Sequence, residues 1–135
     1  MVLSLFVNMV NFKEYYLISI VPNKITVENL KTGESRESDS NLVFSNDRLL
    51  IASATEPGAT VKRLVDQLST NYFFKPIRTV IVNSAHPNIS KFSAIEKMIL
   101  RDVGAQVGTR VYLSFDDTLT ASNIDLNRLS FQFEV

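Results

Sequence analysis

The chain reads as a single α/β domain: an antiparallel three-strand meander, then strand–helix–strand additions pairing in parallel, with helices packed on the sheet. Three observations carry this reading. Residues 14–30 hold two β-branched and aromatic runs split by a short Pro-containing break, the pattern of a hairpin. Between residues 60 and 104 apolar side chains twice recur at helical spacing. Those helical stretches alternate with β-branched runs at 79–82 and 110–115, and a strand–helix–strand succession in so short a span implies a parallel pair with a right-handed crossover.

The totals bound the answer. A chain of 135 residues can bury one core and not two. Fourteen basic residues balance fourteen acidic ones, so net charge gives no general pull toward nucleic acid or anionic lipid, and nucleic acid is not an expected partner. With no cysteine, disulfides and thiolate metal sites are excluded, and with His86 the only histidine so is a histidine-clustered metal site. No apolar run reaches the roughly 18 residues of a spanning helix. The first ten residues lack the basic start and small-residue cleavage site of a secretory signal. A cytoplasmic protein is expected.

Residues 1–12 form an apolar arm ahead of the domain at 13–135. In the arm, Ser4, Asn8 and Asn11 share one face of a helix, with Leu5, Phe6, Met9 and Val10 on the others. Two readings stay open: a short helix lying on a membrane surface through those four apolar residues, or a first strand or arm packed into the core. Glu14–Val21 is a strand, Pro22-Asn23-Lys24 a tight turn, and Ile25–Leu30 the returning strand. Lys31–Glu34 is a turn and Ser35–Asn41 a loop or weak edge strand; Leu42–Phe44 is a short apolar run, and Arg48–Ala54 is a strand. Glu56-Pro57-Gly58 breaks the pattern, and Thr60 can cap a helix in which Val61, Leu64, Val65, Leu68 and Tyr72 make one stripe.

Thr79–Val82 has the continuous β-branched character of a strand buried on both faces. His86-Pro87-Asn88 makes a turn, and Ser90 can cap a helix with Phe92, Ile95, Ile99 and Val103 on its inner side. Gly104 stands where a C-terminal glycine would stop that helix. Arg110–Phe115 is the next strand, and Asp116–Asp125 a polar connection with room for one helical turn. Leu129, Phe131, Phe133 and Val135 alternate with polar residues, which predicts a half-buried edge strand open to another chain.

Lys75-Pro-Ile-Arg-Thr-Val-Ile-Val-Asn-Ser-Ala85, Phe92-Ser-Ala-Ile-Glu-Lys97, Asp102-Val-Gly-Ala-Gln106 and Val111-Tyr-Leu113 resemble a strand, its small-residue/Pro turn and the helix and strand that follow in MreB-type bacterial actins, the rod shape-determining proteins. The element order is similar to one half of that superfamily, a ribonuclease H-like domain. The resemblance covers about residues 13–115 in element order and about 75–113 in residue pattern. It implies the fold and a cell-shape or membrane-proximal setting. It does not imply ATP hydrolysis. Where the family carries an Asp-Leu-Gly-Thr type phosphate loop, this chain has a degenerate position at Val21, Pro22, Asn23 and Lys24, with neither the glycine nor the aspartate. The second half that would complete a nucleotide site is absent from the sequence.

The chemistry-bearing residues add little to this. Asp116 and Asp117 follow a strand end, and with Asp39, Asp47 or Glu14 they are the candidates for a metal-dependent phosphodiester hydrolase of ribonuclease H-like fold, the alternative reading. Ser84 and His86 lack an orienting carboxylate and a nucleophile elbow. The expectation is a non-catalytic interaction or assembly module with no cofactor and no metal. It would bind a protein partner or a second copy, as in a homodimer, through Leu129, Phe131, Phe133 and Val135, and residues 1–12 could meet a membrane surface.

Overall fold

The computed structural model describes residues 13–21, 24–39, 43–45, 48–50, 55–69, 76–84 and 94–135. Its centre is a five-stranded mixed sheet in the order β3-β2-β1-β6-β7. The strands are β1 (Lys13–Val21), β2 (Lys24–Asn29), β3 (Ser35–Asp39), β6 (Ile77–Ser84) and β7 (Arg110–Ser114). β1, β2 and β3 form the antiparallel meander, while β6 pairs parallel with β1 and β7 parallel with β6. Two short strands, β4 (Val43–Ser45) and β5 (Arg48–Leu50), make a separate antiparallel pair. The run expected as one strand over Arg48–Ala54 therefore pairs outside the main sheet, and Ile51–Ala54 lie outside the described residues.

Helix α1 (Thr55–Leu68) packs over β2 and β3, and α2 (Ala94–Ala105) over β6 and β7. Both stand on one face of the sheet. Strand alternation sends Tyr16, Ile18 and Ile20, Ile25 and Val27, and Val80 and Val82 to that face, where Val61, Leu64, Val65 and Leu68 of α1 and Leu100 and Val103 of α2 close the core. Of the apolar stripe expected in the first helix, Val61, Leu64, Val65 and Leu68 are buried, and Tyr72 lies outside the described residues. At about 25 cal/mol per Å2, each such fully buried aliphatic side chain contributes roughly 1.5–3 kcal/mol before entropy is charged against it.

Two helix boundaries differ from expectation for physical reasons. α1 begins at Thr55, ahead of Pro57 and Gly58, so Thr60 lies within the helix and is not its cap. A proline in the first turn costs little, because the N–H it lacks would have no acceptor there. Gly104 lies in the last turn of α2 and is not its terminator. A Cβ on it would come within 2.7 Å of Val111 Cγ1 and 2.9 Å of Val82 Cγ2. Its missing side chain is what lets the helix seat closely on β6 and β7. The expected cap Ser90, the His86-Pro87-Asn88 turn and Phe92 lie outside the described residues.

The opposite face of the sheet is covered by the C-terminal segment. The predicted strand over 129–135 is a correction: Leu129–Gln132 is a short helix, α3, and only Glu134 bridges to β7, its carbonyl accepting from the Leu113 N–H at 2.6 Å. Leu129 and Phe133 are four residues apart, so one helical turn brings both onto Leu17, Ile81 and Tyr112, which an extended chain would not do. Gln132 locks the turn. Its side-chain oxygen accepts from the Asp125 N–H at 2.8 Å, and its amide nitrogen donates to the Asn123 carbonyl at 2.9 Å. The polar connection before it contains one 3-10 turn, Ala121–Asn123, entered from Thr120.

Candidate functional site

The C-terminal cover stops short of the N-terminal ends of the parallel strands, and a cleft remains there. Strand register places Lys13, Tyr15 and Leu17 of β1, Ile77, Thr79 and Ile81 of β6, and Arg110 and Tyr112 of β7 on this face. Leu129 packs against Leu17, Ile81 and Tyr112. The remaining space, about 530 Å3, is lined on the sheet side by Lys13, Tyr15, Ile77, Thr79 and Tyr112. The rest of its lining is Thr109 and Arg110, and Leu126, Asn127, Leu129 and Ser130 from the C-terminal segment. The charged lining is Lys13 and Arg110, with no carboxylate. Among the described residues neither of those two side chains has an ion pair or hydrogen bond. Lys31 adds a third cation near the same end, its Nζ donating to the Lys13 carbonyl at 3.1 Å.

Behind the sheet at that end, on the helix face, lies a buried charged network. Glu14 is 2% exposed and accepts from Arg78 Nε at 3.1 Å and from Ser69 Oγ at 2.8 Å. Ser69 Oγ in turn accepts from Arg78 at 3.2 Å. The group joins the end of α1 to the starts of β1 and β6. The Tyr16 hydroxyl is buried beside it without a well-aligned hydrogen bond. Burial first, and then the Glu14 charge, push that hydroxyl's pKa far above the usual tyrosine value. The alternative reading placed Glu14 with Asp116, but Asp116 follows Ser114, which stands level with Ser19, so at least about five residues of strand, roughly 17 Å, separate Glu14 from it.

At the far end, Asp116 closes its own turn. Its carboxylate accepts from Thr118 Oγ1 at 2.7 Å and from the Thr118 N–H at 2.9 Å. These two bonds, the hydroxyl's first, hold its pKa below the usual carboxylate range. Its backbone exchanges two hydrogen bonds with the Asn83 side chain, at 3.0 and 3.1 Å. Asp117 is exposed, and Asp39 ends β3 opposite Lys24. Among the described residues no three histidine, cysteine or acidic side chains are grouped to hold a metal. Ser84 is fully buried, which removes it as an accessible nucleophile, while His86 and Asp47 lie outside the described residues.

Val21 and Lys24 are ladder partners, leaving only Pro22 and Asn23 between them, both outside the described residues. Lys24 is engaged by Glu37 at 2.8 Å, and the Glu37 contact raises its pKa. Of the interaction candidates, Leu129 is buried and Phe133 half-buried against the sheet, whereas Phe131 is 88% and Val135 69% exposed. The membrane candidates Leu5, Phe6, Met9 and Val10 lie outside the described residues. No described helix is long and apolar enough to cross a membrane.

Sequence reasoning missed the cleft, although its residues carry the right local signal. Lys13 and Tyr15, and Arg110 and Tyr112, each follow a two-residue period, but 97 positions separate Lys13 from Arg110, and only the β1–β6–β7 register brings them to one face. The sequence is 34% identical over 103 residues to YjaA, an uncharacterized protein of Escherichia coli (strain K12), a match that covers 73% of this chain and 80% of that protein. No family model and no solved structure matches.

Proposed function

The chain belongs to the family of Escherichia coli YjaA, and from that premise we propose that it is a non-catalytic interaction module built on a ribonuclease H-like, actin-half scaffold. The sheet order supports the finer fold: a central β1, an antiparallel meander on one side and two parallel strands on the other. The MreB-like resemblance supports an assembly role, in the cytoplasm and near a membrane that the first twelve residues can meet.

One observation carries the interaction reading. Phe131 stands 88% exposed on a segment that is otherwise anchored. Leu129 and Phe133 pin it to the sheet, and Lys97 and Arg101 of α2 hold Glu134 at 3.2 and 3.4 Å. Arg101 also reaches the Val135 carbonyl at 3.1 Å, which sets Val135 beside the helix that carries exposed Met98. A fixed, exposed aromatic loses little entropy when a partner covers it. The partner is a protein, with a second copy the first to test. The rival hydrolase would need converging carboxylates, and Asp116 is engaged by Thr118.

Sedimentation velocity across a concentration series should show a dimer that Phe131→Ser converts to monomer with the fold intact. A chain that stays monomeric at about 100 μM, where even a weak dimer of roughly micromolar Kd would form, would count against self-association. Hydrolysis of ATP or of a phosphodiester by the purified chain, abolished by Asp116→Asn, would overturn the non-catalytic reading.

A further inference from the structure

We propose that the cleft beside Lys13 and Arg110 is a binding site for a small organic oxyanion, a carboxylate or phosphate monoester carried on a flat apolar body. This inference is independent of what the C-terminal segment binds.

The register defines the shape. Tyr15, Thr79 and Arg110 are lateral neighbours across β1, β6 and β7. The small Thr79 between a ring and a long guanidinium stem makes a trough. Ile77 lies one step below on the same face, 51% exposed, beside Lys13. Tyr112 lies one step above Arg110 on β7. Exposed Ile77, diagonal to the Tyr15 ring across β1 and β6, is apolar surface that a ring or short alkyl chain would cover.

The charge defines the chemistry. Lys13 and Arg110 are two strands and two residues apart, which sets their Cα atoms at about 12 Å. Two long side chains can converge on one anion across that gap. The guanidinium fork matches two oxygens of a carboxylate or phosphate, and an ammonium adds a point charge. Thr79, Thr109, Asn127 and Ser130 supply hydroxyl and amide donors around the same space. No lining carboxylate competes for the two cations.

The site lies at the N-terminal ends of the parallel strands, whereas open α/β sheets usually seat ligands at the carboxyl ends. In this chain the carboxyl end on this face is taken by the Asn83–Asp116 pairing. The neutral whole-protein charge makes a local excess of positive charge more telling than it would be in a basic protein.

The test is an NMR titration of the full chain with phenyl phosphate, benzoate, inorganic phosphate and benzyl alcohol. Phenyl phosphate or benzoate should shift the amides of Thr79, Thr109, Arg110 and Tyr112 with a Kd of about 1 mM or tighter, as ligands of that size allow. Inorganic phosphate should bind more weakly and benzyl alcohol weakest of all. Whichever of the first two is tighter identifies the anion. Arg110→Gln and Lys13→Gln, both at exposed positions, should each weaken binding about five- to tenfold, and raising the salt from about 0.05 to 0.5 M should weaken it in the unmodified chain. Saturable shifts elsewhere, equal binding of benzyl alcohol, or affinity insensitive to both substitutions and salt would overturn the proposal. So would no shift at about 10 mM ligand, far above the expected Kd.

Discussion

Removing Arg78 should cost the domain more than almost any other single surface-reaching substitution. Its guanidinium is the counter-charge to Glu14, a side chain only 2% exposed, and is itself 16% exposed. In Arg78→Met the stem is replaced by an apolar chain of similar length, and the carboxylate stays buried without that guanidinium. Breaking a buried pair in this way costs about 3–5 kcal/mol. The Ser69 hydroxyl still donates to Glu14 at 2.8 Å, which argues for the lower end, about 3 kcal/mol. In a domain of this size each kcal/mol moves Tm by roughly 3–4 °C, so a drop of about 10 °C is expected. Glu14→Gln keeps an acceptor for Ser69 and leaves Arg78 partial access to water, for a loss of about 1–2 kcal/mol. The double variant should lose less than the sum, with a coupling of about 1.5 kcal/mol. Urea unfolding of the four proteins measures all three quantities. A loss below about 0.5 kcal/mol in Arg78→Met, or additivity within about 0.3 kcal/mol, would refute the argument that the pair is desolvated and coupled.

Gly104→Ala should destabilise by about 1–2 kcal/mol in the same assay, because the overpacking against Val111 and Val82 exceeds the roughly 1 kcal/mol gained in helix propensity. Gly33→Ala should cost about 1–2 kcal/mol with no packing change at all, since Gly33 has φ of 79° with open space around it. Thr118→Ala should move the Asp116 pKa up toward the ordinary value in a carboxyl-carbon NMR titration. A pKa depressed in the folded state contributes stability above the unfolded value, lost as the pH falls through the folded one, so the unmodified chain should lose that small contribution below about pH 4 and the variant, which keeps only the backbone N–H bond, should lose less. Ultraviolet titration should show one tyrosine, Tyr16, that stays protonated until the chain unfolds. With its pKa raised, stability is whole below about pH 10 and falls as the pH rises further.

The sequence alone determined those elements whose signal is local. The β-branched and aromatic run Glu14–Val21, the two-residue alternation in Ile25–Leu30, and the stripe of Val61, Leu64, Val65 and Leu68 follow from the preferences and periods of strand and helix. No distant contact was needed to impose them. Composition likewise rules out thiolate and histidine-clustered metal chemistry. The C-terminal segment misled because Leu129, Phe131, Phe133 and Val135 satisfy a strand period, while the positions of Leu129 and Phe133 also satisfy one helical turn. Only the apolar surface of Leu17, Ile81 and Tyr112 waiting opposite chose between the two.

Tertiary structure alone decided the rest. Glu14 and Arg78 look like two ordinary exposed charges in the sequence, and they become a buried pair because parallel register sets them side by side beneath the end of α1. Gly104 looks like a helix stop and is a contact surface, because what it lacks matters only once Val82 and Val111 stand opposite. Lys13 and Arg110 share a cleft for the same reason. Periodicity states which face of its own strand a residue takes. Which distant residue shares that face depends on strand order and register, and these were set by the burial of the whole sheet.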